Sequence, residues 1–269
     1  MSIHPTAIVD RSAEIDPTAE IGAYAIVERN VRIGAGTRVY AHGYVAEGTT
    51  LGARCQIHPF AVVGHLPQDL KWPGEPSFTQ VGDDTVVREH ATIHRGTAPG
   101  STTLVGPHCY IMAAAHIGHN CVIADHVTIA NGSLLSGHVQ VGSRAFLSGH
   151  VGVHQFVRIG ELAMMGGGSR ALMDVSPFMT MVERMELVGP NVVGLRRAGF
   201  SREERAEIQR AYRTLFRTAV PLPAALDEFA PTVCTAPGRR LVEFLRAPSK
   251  RGFVRARKTR YLAPAEIAE

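Results

Sequence analysis

The feature that most constrains the fold of this chain is an aliphatic repeat with a period of six residues. Of the 28 positions counted at every sixth residue from Ile3 to Met165, 25 are aliphatic or methionine. Apolar residues make up 45% of the chain, so chance would fill about half of these positions. A period of six matches neither the 3.6 residues per turn of an α-helix nor the alternation of a single strand, and it is typical of hexapeptide β-helices. The sequence therefore predicts a mainly β fold of short strands joined by corners.

The repeat also predicts how residues stack. Three hexapeptides would form one triangular coil, so residues three hexapeptides apart should lie about 4.8 Å apart along the axis. Each aliphatic residue should point into a narrow core, and the glycine that often follows it suits a sharp corner. Cys55, Cys109 and Cys121 fall at a small inward position and are interpreted as packing residues. The four cysteines have no CxxC spacing, which argues against a zinc ribbon or a disulfide framework.

Interruptions of the repeat divide the chain. At 64–80 and 94–104 the aliphatic register lapses, and both segments are predicted to be loops ejected from a rigid wall, where functional residues tend to lie. After Met165 the repeat fades. We therefore expect a hexapeptide β-helix domain over 1–188 and a C-terminal α-helical domain over 189–269.

Helical signals dominate the second part. The sequence Ser-Arg-Glu-Glu at 201–204 is a capping box, and it predicts a helix that runs to about Ala219. Prolines then end this helix, and two further helices are predicted over 222–229 and 239–246. The polar segment 255–269 is predicted to be a loose, basic tail.

Charge is distributed unevenly along the chain. The net charge of +4 is the sum of −4 up to Pro190 and +8 after it. The basic C-terminal part indicates an acidic partner or a phosphorylated ligand rather than a nucleic acid. No apolar run long enough to span a membrane and no signal peptide is evident, so we expect a cytoplasmic protein without membrane insertion.

Histidines are the candidates for chemistry. The chain has 13 of them, and six lie between His108 and His150. Gly137 follows His119 by three hexapeptides, which should place it one coil above that histidine on the same wall. A histidine with a near-neutral pKa beside an exposed glycine N–H is a general base next to an oxyanion donor. This pair suits acyl transfer to a hydroxyl group.

Six motifs in order along the chain carry a family resemblance. They are QDLKWPGEP at 68–76, TIHRGT at 92–97, HIGHNC at 116–121, GVHQF at 152–156, GGG at 166–168 and GLRRAGFSRE at 194–203. Together they resemble the UDP-N-acetylglucosamine O-acyltransferases, which catalyse the first step of lipid A synthesis, over about residues 1–255.

The resemblance implies a left-handed parallel β-helix that assembles as a homotrimer, with active sites between neighbouring subunits. It implies transfer of an (R)-3-hydroxyacyl group from acyl carrier protein to the glucosamine 3-hydroxyl of UDP-N-acetylglucosamine. No metal or bound cofactor is implied, because the phosphopantetheine arrives on the carrier protein.

The resemblance also assigns roles to single residues. His119 would be the general base and Gly137 the oxyanion donor. Gly167 would end the acyl pocket, while Asn191 and Arg197 would meet the nucleotide or the donor. The full set of implied substrate-binding residues is Gln68, Asp69, Lys71, His94, His116, His138, His154, Gln155, Gly167, Asn191 and Arg197. A cationic surface for the acidic carrier protein would be formed by the arginines of this region, which are Arg196, Arg197, Arg202, Arg205, Arg210, Arg213 and Arg217.

The chain departs from the family pattern in three places. Asn120 stands where Asp is common, and an amide can accept a hydrogen bond from an imidazole but cannot stabilise its cation by charge. The stretch 182–184 and Ala198 replace residues that face the nucleotide. The segment 256–269 extends beyond the resemblance.

Two other enzyme activities use similar residues. An N-acyltransferase acting on an amino-sugar nucleotide would need the same histidine base. A trimeric β-helical carbonic anhydrase would use three histidines as zinc ligands, for which His116, His119 and His138 are candidates. A non-catalytic scaffold would explain the hexapeptides but not the QDLKWPGEP loop.

Overall fold

The aliphatic repeat folds into the three walls of a parallel β-helix, seen here in a computed structural model that describes residues 2–183 and 185–256. Strands β1 to β14 are Ser2–Ile3, Ile8–Val9, Glu14–Ile15, Glu20–Ile21, Ile26–Val27, Arg32–Ile33, Arg38–Val39, Tyr44–Val45, Thr49–Leu51, Gln56–Ile57, Val62–His65, Phe78–Val81, Val86–Val87 and Thr92–His94. Strands β15 to β29 are Thr102–Val105, Tyr110–Ile111, His116–Ile117, Val122–Ile123, Thr128–Ile129, Leu134–Leu135, Gln140–Val141, Phe146–Leu147, Gly152–Val153, Arg158–Ile159, Met164–Met165, Arg170–Ala171, Met179–Val182, Glu186–Pro190 and Arg255–Ala256.

From β1 to β26 every third strand belongs to the same wall, and the pairs between successive coils are parallel. Among the described residues the three sheets have twelve, nine and eight strands, and the twelve-stranded sheet ends with an antiparallel pair of β27 and β28 followed by β29. The sixth-residue aliphatics form the core, and Ile57, Ile93 and Ile117 have no exposed surface. The predicted hexapeptide β-helix is therefore confirmed.

The two ejected loops preserve the register because of their lengths. In the uninterrupted repeat Ile3 pairs with Ile21, three hexapeptides further along the chain. Across the first loop Ile57 pairs with Val87, which is five hexapeptides further, and across the second Ile93 pairs with Ile117, which is four hexapeptides further. The insertions therefore add two hexapeptides and one hexapeptide. Because both are whole multiples of the repeat, every later aliphatic residue still points inward.

Both loops are shorter than the lapses in the repeat suggested. Strands β11 and β14 continue to His65 and His94, while β12 begins at Phe78 and β15 at Thr102. The loops are therefore 66–77 and 95–101, rather than 64–80 and 94–104. The reason is that β12 and β15 pair with each other over four residues, so the backbone ladder extends beyond the hexapeptide pattern.

Apart from Gly64, whose φ is 83°, the glycines that follow core aliphatics do not form the sharp corners expected of them. The turn residue with positive φ comes two positions later, as at Tyr24 after Gly22 and Arg54 after Gly52. A Cβ at Gly106 would lie 2.7 Å from the backbone carbon of Ala124 in the next coil, and one at Gly34 would similarly meet Gly52 at 2.6 Å. These glycines are required by close approach between coils.

Up to residue 256, where the described part of the chain ends, four α-helices follow the β-helix. They are α1 (Val192–Arg197), α2 (Arg202–Ala211), α3 (Leu222–Phe229) and α4 (Ala236–Arg246), with a π-helical turn at Tyr212–Phe216 and a 3₁₀ turn at Ala230–Thr232. None of the helices in the described segments is long and apolar enough to cross a membrane.

The predicted helices exist, but two of their ends differ. The Ser201 capping box is present, yet α2 stops at Ala211 instead of Ala219 because the chain widens into the π-turn, whose Leu215 and Phe216 are buried. Helix α4 starts earlier than predicted because Thr235 caps it. The sequence predicts a loose tail from residue 255, but Arg255 and Ala256 form β29, which pairs with β28, and residues 257–269 lie outside the described residues.

Close coil stacking predicts a strong effect at Gly106. We expect Gly106→Ala to lower stability by about 1–3 kcal/mol, since its new Cβ would collide with backbone and force strain. The melting temperature followed by circular dichroism should then fall by roughly 2–10 °C. Gly149→Ala is the matched control, because its Cβ would meet Asn131 O at an ordinary 3.5 Å. Equal melting temperatures for the two variants would contradict this account.

Candidate active site

The stacking of coils brings Gly137 directly against His119. A Cβ at residue 137 would lie 2.3 Å from Cε1 and 2.4 Å from Nε2 of His119, so only glycine fits there. His138, the residue after Gly137, donates its N–H to the His119 carbonyl at 2.9 Å, so the two coils are joined next to this contact. The N–H of Gly137 donates to no backbone acceptor in the described part of the chain. The N–H of Gly137, a hydrogen-bond donor, therefore lies next to the imidazole of His119, a nitrogen base.

The hydrogen bonds of Asn120 determine which nitrogen of His119 is basic. His119 Nδ1 lies 3.0 Å from Asn120 Oδ1. The backbone N–H of Thr97, which can only donate, lies 3.0 Å from the same atom, so that atom must be the amide oxygen. In the neutral imidazole, His119 Nδ1 then carries the proton and Nε2 keeps its lone pair.

The first ejected loop brings a carboxylate to the Nε2 side. Asp69 Oδ2 lies 3.9 Å from His119 Nε2, while Asp69 Oδ1 accepts a hydrogen bond from the Lys71 backbone. Trp72 N–H also donates to the Asp69 carbonyl, which closes a turn around this residue. The Lys71 side chain points outward and is exposed.

Asp69, His119 and Gly137 line a cleft of about 690 Å³ on the β-helix wall. Seven of the residues predicted from the sequence contribute to it: Gln68, Asp69, His94, His116, His119, Gly137 and Gln155. A larger apolar cleft of about 850 Å³ lies beside the helices and contains no histidine. We assign the chemistry to the histidine cleft because it holds the convergent polar groups.

Burial keeps the histidines around His119 neutral. His94 is 6% exposed, and burial lowers its pKa to about 4, with His116 adding repulsion. Burial also lowers the pKa of His116, whose Nδ1 lies 2.8 Å from the Thr92 hydroxyl. The rings of His94 and His116 meet edge to face at 4.8 Å.

His138 belongs to a ring stack that borders the cleft. Its ring meets His119 edge to face at 5.2 Å and stacks on Phe156 at 4.7 Å. The Lys250 ammonium lies 4.2 Å from the centre of the Phe156 ring. Burial, then His119 and Lys250, lower the pKa of His138.

The other predicted residues are not part of the lining of this cleft. His154 is exposed beside Gln155, and Gly167 is exposed with room for a Cβ 3.6 Å from the nearest atom. Asn191 caps α1 through Gly194 N–H and donates to the Leu162 carbonyl. Arg197 is exposed at the end of the same helix.

Sequence reasoning missed several contributors to the cleft. Thr92, Ala114, Gly118, Leu134, Leu135 and Ser136 complete its lining. Most of them are strand or turn neighbours of the predicted residues in this coil or the next, so the coil spacing could have identified them. Lys250 and Arg251 come from the loop after α4, and Arg251 donates to the Gln155 carbonyl. No spacing in the sequence signals this contact.

The carbonic anhydrase alternative needs three histidines that converge on one point. In residues 2–183 and 185–256, no group of three His, Cys, Asp or Glu side chains is spaced to hold a metal ion. His119 Nδ1 and His116 Nδ1 already contact Asn120 and Thr92.

Comparisons with known proteins point to one family. The family model described as UDP-N-acetylglucosamine O-acyltransferase, domain 2, matches residues 174–254, and the model of bacterial transferase hexapeptide repeats matches residues 102–137. The acyl-(acyl-carrier-protein) UDP-N-acetylglucosamine O-acyltransferase of Myxococcus xanthus is 48% identical over 256 residues, which cover 94% of this chain and 99% of that protein. The enzyme of the same name from Syntrophobacter fumaroxidans is 46% identical over 259 residues, covering 95% of this chain and 100% of that protein.

Solved structures give the same result. The UDP-N-acetylglucosamine O-acyltransferase of Moraxella catarrhalis superposes with a TM-score of 0.90 at 39% identity, covering 95% of this chain and 100% of that chain. The enzyme of Francisella novicida superposes with a TM-score of 0.90 at 32% identity and covers 99% of this chain and 100% of that chain. With this similarity extending over nearly its full length, the chain belongs to the UDP-N-acetylglucosamine O-acyltransferase family.

Proposed function

We propose that this protein transfers an (R)-3-hydroxyacyl group from acyl carrier protein to the glucosamine 3-hydroxyl of UDP-N-acetylglucosamine. The relatives it matches carry the name of this O-acyltransferase activity, and they do not favour the N-acyltransferase or carbonic anhydrase alternatives. The observation that carries the proposal is the contact of Gly137 with His119, which places an N–H donor beside an unprotonated Nε2.

The geometry accounts for both steps of the transfer. His119 Nε2 removes the proton of the acceptor hydroxyl as its oxygen attacks the thioester carbonyl. The resulting oxyanion accepts a hydrogen bond from Gly137 N–H. When the tetrahedral intermediate collapses, the imidazolium returns the proton to the departing thiolate, so His119 ends as it began.

The polar lining orients the acceptor sugar in this proposal. Gln68 and Asp69 approach from the ejected loop, and His94 and His116 from the wall below. Neutral imidazoles can donate to or accept from sugar hydroxyls without adding charge to the cleft. Lys71 and His138 border this region, and Lys71 can contact a diphosphate as a point charge.

We assign the donor to the side of the cleft nearer the helices. In this assignment Gln155 and His154 lie on the donor side. Asn191 caps the start of α1, and Arg197 is its last residue. The exposed guanidinium groups of Arg196, Arg197 and Arg202 suit an acidic carrier protein. Arg205 and Arg210 contribute less than the sequence suggested, because they bond to the Phe200 and Thr232 carbonyls.

We further propose that the protein is cytoplasmic and assembles as a homotrimer. We place the boundary between the β-helix domain and the C-terminal helical domain after residue 188. Support for assembly comes from apolar residues left exposed on the walls, among them Ile8, Val122 and Leu134. Leu134 lines the catalytic cleft, so a neighbouring subunit that covers it would complete the site.

A product assay tests the function directly. Purified protein is incubated with UDP-N-acetylglucosamine and carrier proteins loaded with 3-hydroxyacyl chains of several lengths, and products are identified by mass and fragmentation. We expect one ester at the glucosamine 3-hydroxyl. Gly167→Met, whose Cβ would lie an ordinary 3.6 Å from the Gly149 carbonyl oxygen, should shift the preferred chain to a shorter one. Acylation of an amine, or no product from any donor, would refute the proposal.

Removing the base should abolish most turnover. His119→Ala is expected to lower kcat by about 10²- to 10⁴-fold, the usual contribution of a general base, while nucleotide affinity stays within about twofold. His116→Ala is the comparison variant, and it should lose less because it positions substrate without transferring the proton. Steady-state kinetics of both variants measures kcat, and titration with the nucleotide measures their affinity for it. Retention of most activity by His119→Ala would move the base to another histidine.

Assembly is tested by sedimentation equilibrium at the concentration used in the assay. A trimer of the 29.0 kDa chain should have about three times that mass. Replacing Leu134 by Glu should weaken association, because a charge would be buried at the contact. An active species with the mass of one chain would disprove the trimer.

A further inference from the structure

One oxygen atom next to the base collects three hydrogen-bond donors. Asn120 Oδ1 accepts from the Thr97 backbone at 3.0 Å and from the Thr97 hydroxyl at 2.9 Å, and it lies 3.0 Å from His119 Nδ1. The Asn120 backbone N–H donates to the buried Thr103 hydroxyl at 2.8 Å, which fixes the residue from the other side. Thr97 lies in the second ejected loop, and the proposed reaction gives it no role.

The loop that carries Thr97 is firmly seated. Arg95, 6% exposed, donates from its backbone to the His65 carbonyl and from Nε to the Gly64 carbonyl. The Ser77 hydroxyl donates to the Gly96 carbonyl at 2.6 Å. Thr97 therefore approaches Asn120 from a fixed direction, although the two are distant along the chain.

An amide side chain needs such a fixed partner because its two ends differ. If the Asn120 amide rotated by half a turn, its NH₂ group would face His119 Nδ1. Nδ1 would then have to accept, the proton would move to Nε2, and the nitrogen facing the substrate would no longer be a base. A carboxylate has two equivalent oxygens, so it has no wrong orientation.

We propose that Thr97 is a positioning residue that holds the Asn120 amide oxygen toward His119 and thereby keeps Nε2 of His119 unprotonated. This inference rests on the proposed role of His119. Activity depends on Thr97 because residue 120 is an asparagine, whose amide must be held in one orientation. This dependence should disappear when residue 120 is replaced by an aspartate.

A double-mutant cycle tests this dependence. Thr97→Val removes the hydroxyl and keeps the shape, so kcat should fall about 2- to 10-fold, the value of one net hydrogen bond, with KM for the nucleotide nearly unchanged. Thr97→Ser should retain activity. In the Asn120→Asp background, Thr97→Val should change kcat by less than about twofold. Equal losses in both backgrounds would show that Thr97 only holds the loop and would overturn the proposal.

Ser101→Ala is the matched control for loop stability. The Ser101 hydroxyl donates to the Ala98 carbonyl within the same loop and does not contact Asn120. This variant should therefore keep its kcat in both backgrounds. A loss as large as that of Thr97→Val would assign the effect to the loop.

The protonation state can be read without any turnover. With ¹⁵N-histidine labelling at pH 8, and His119→Gln to assign the signal, Nδ1 of His119 should be protonated and Nε2 unprotonated. Thr97→Val removes the hydroxyl donor and keeps the backbone donor, so a measurable part of the signal should move to the other tautomer while the native tautomer stays in excess. Unchanged signals would overturn the proposal even if the enzyme is active. If the native protein instead forms no ester, the proposed function fails while the tautomer measurement remains valid.

Discussion

The whole molecule depends on the backbone hydrogen bonds between successive coils. His116 N–H donates to the Ser133 carbonyl at 2.8 Å, and Gly118 N–H donates to the Leu135 carbonyl at 2.9 Å, one coil above. Any insertion must return the chain to the next rung of this ladder with its aliphatic residues still inward. The loops do so by adding whole hexapeptides, and they can therefore present Asp69 and Thr97 to the cleft without disturbing the walls.

Periodic features of the structure were predictable from the sequence. The core, the buried cysteines and the contact of Gly137 with His119 follow from counting residues, because each depends only on the repeat. Burial raises the pKa of Cys55 and Cys109 to about 11, which suits the packing role expected of them. The reason for the conspicuous glycines was not predictable, because close approach between coils and a sharp corner both select glycine in a sequence.

Contacts made by non-repeating segments were not predictable. Lys250 reaches Phe156, and Thr97 reaches Asn120, only because of how the helices and the second loop pack on the walls. The widening of α2 into a π-turn depends similarly on burial of Leu215 and Phe216. Such contacts carry no spacing signal, and the Asn120 amide oxygen could be assigned only once the Thr97 N–H was seen beside it.

The charges around His119 explain how an amide can serve where a carboxylate is common. Asn120 provides orientation without a negative charge, so an imidazolium formed during the reaction lacks that stabilisation. Burial compensates in part, because it lowers the pKa of His94, His116 and His138 and keeps these neighbours from adding positive charge at neutral pH. Asp69, 3.9 Å from Nε2, supplies a negative charge on the side where the proton arrives. In the proposed reaction, the orientation of His119 and the stabilisation of its cation are therefore separate tasks, which Asn120 and Asp69 would perform from opposite sides of the ring.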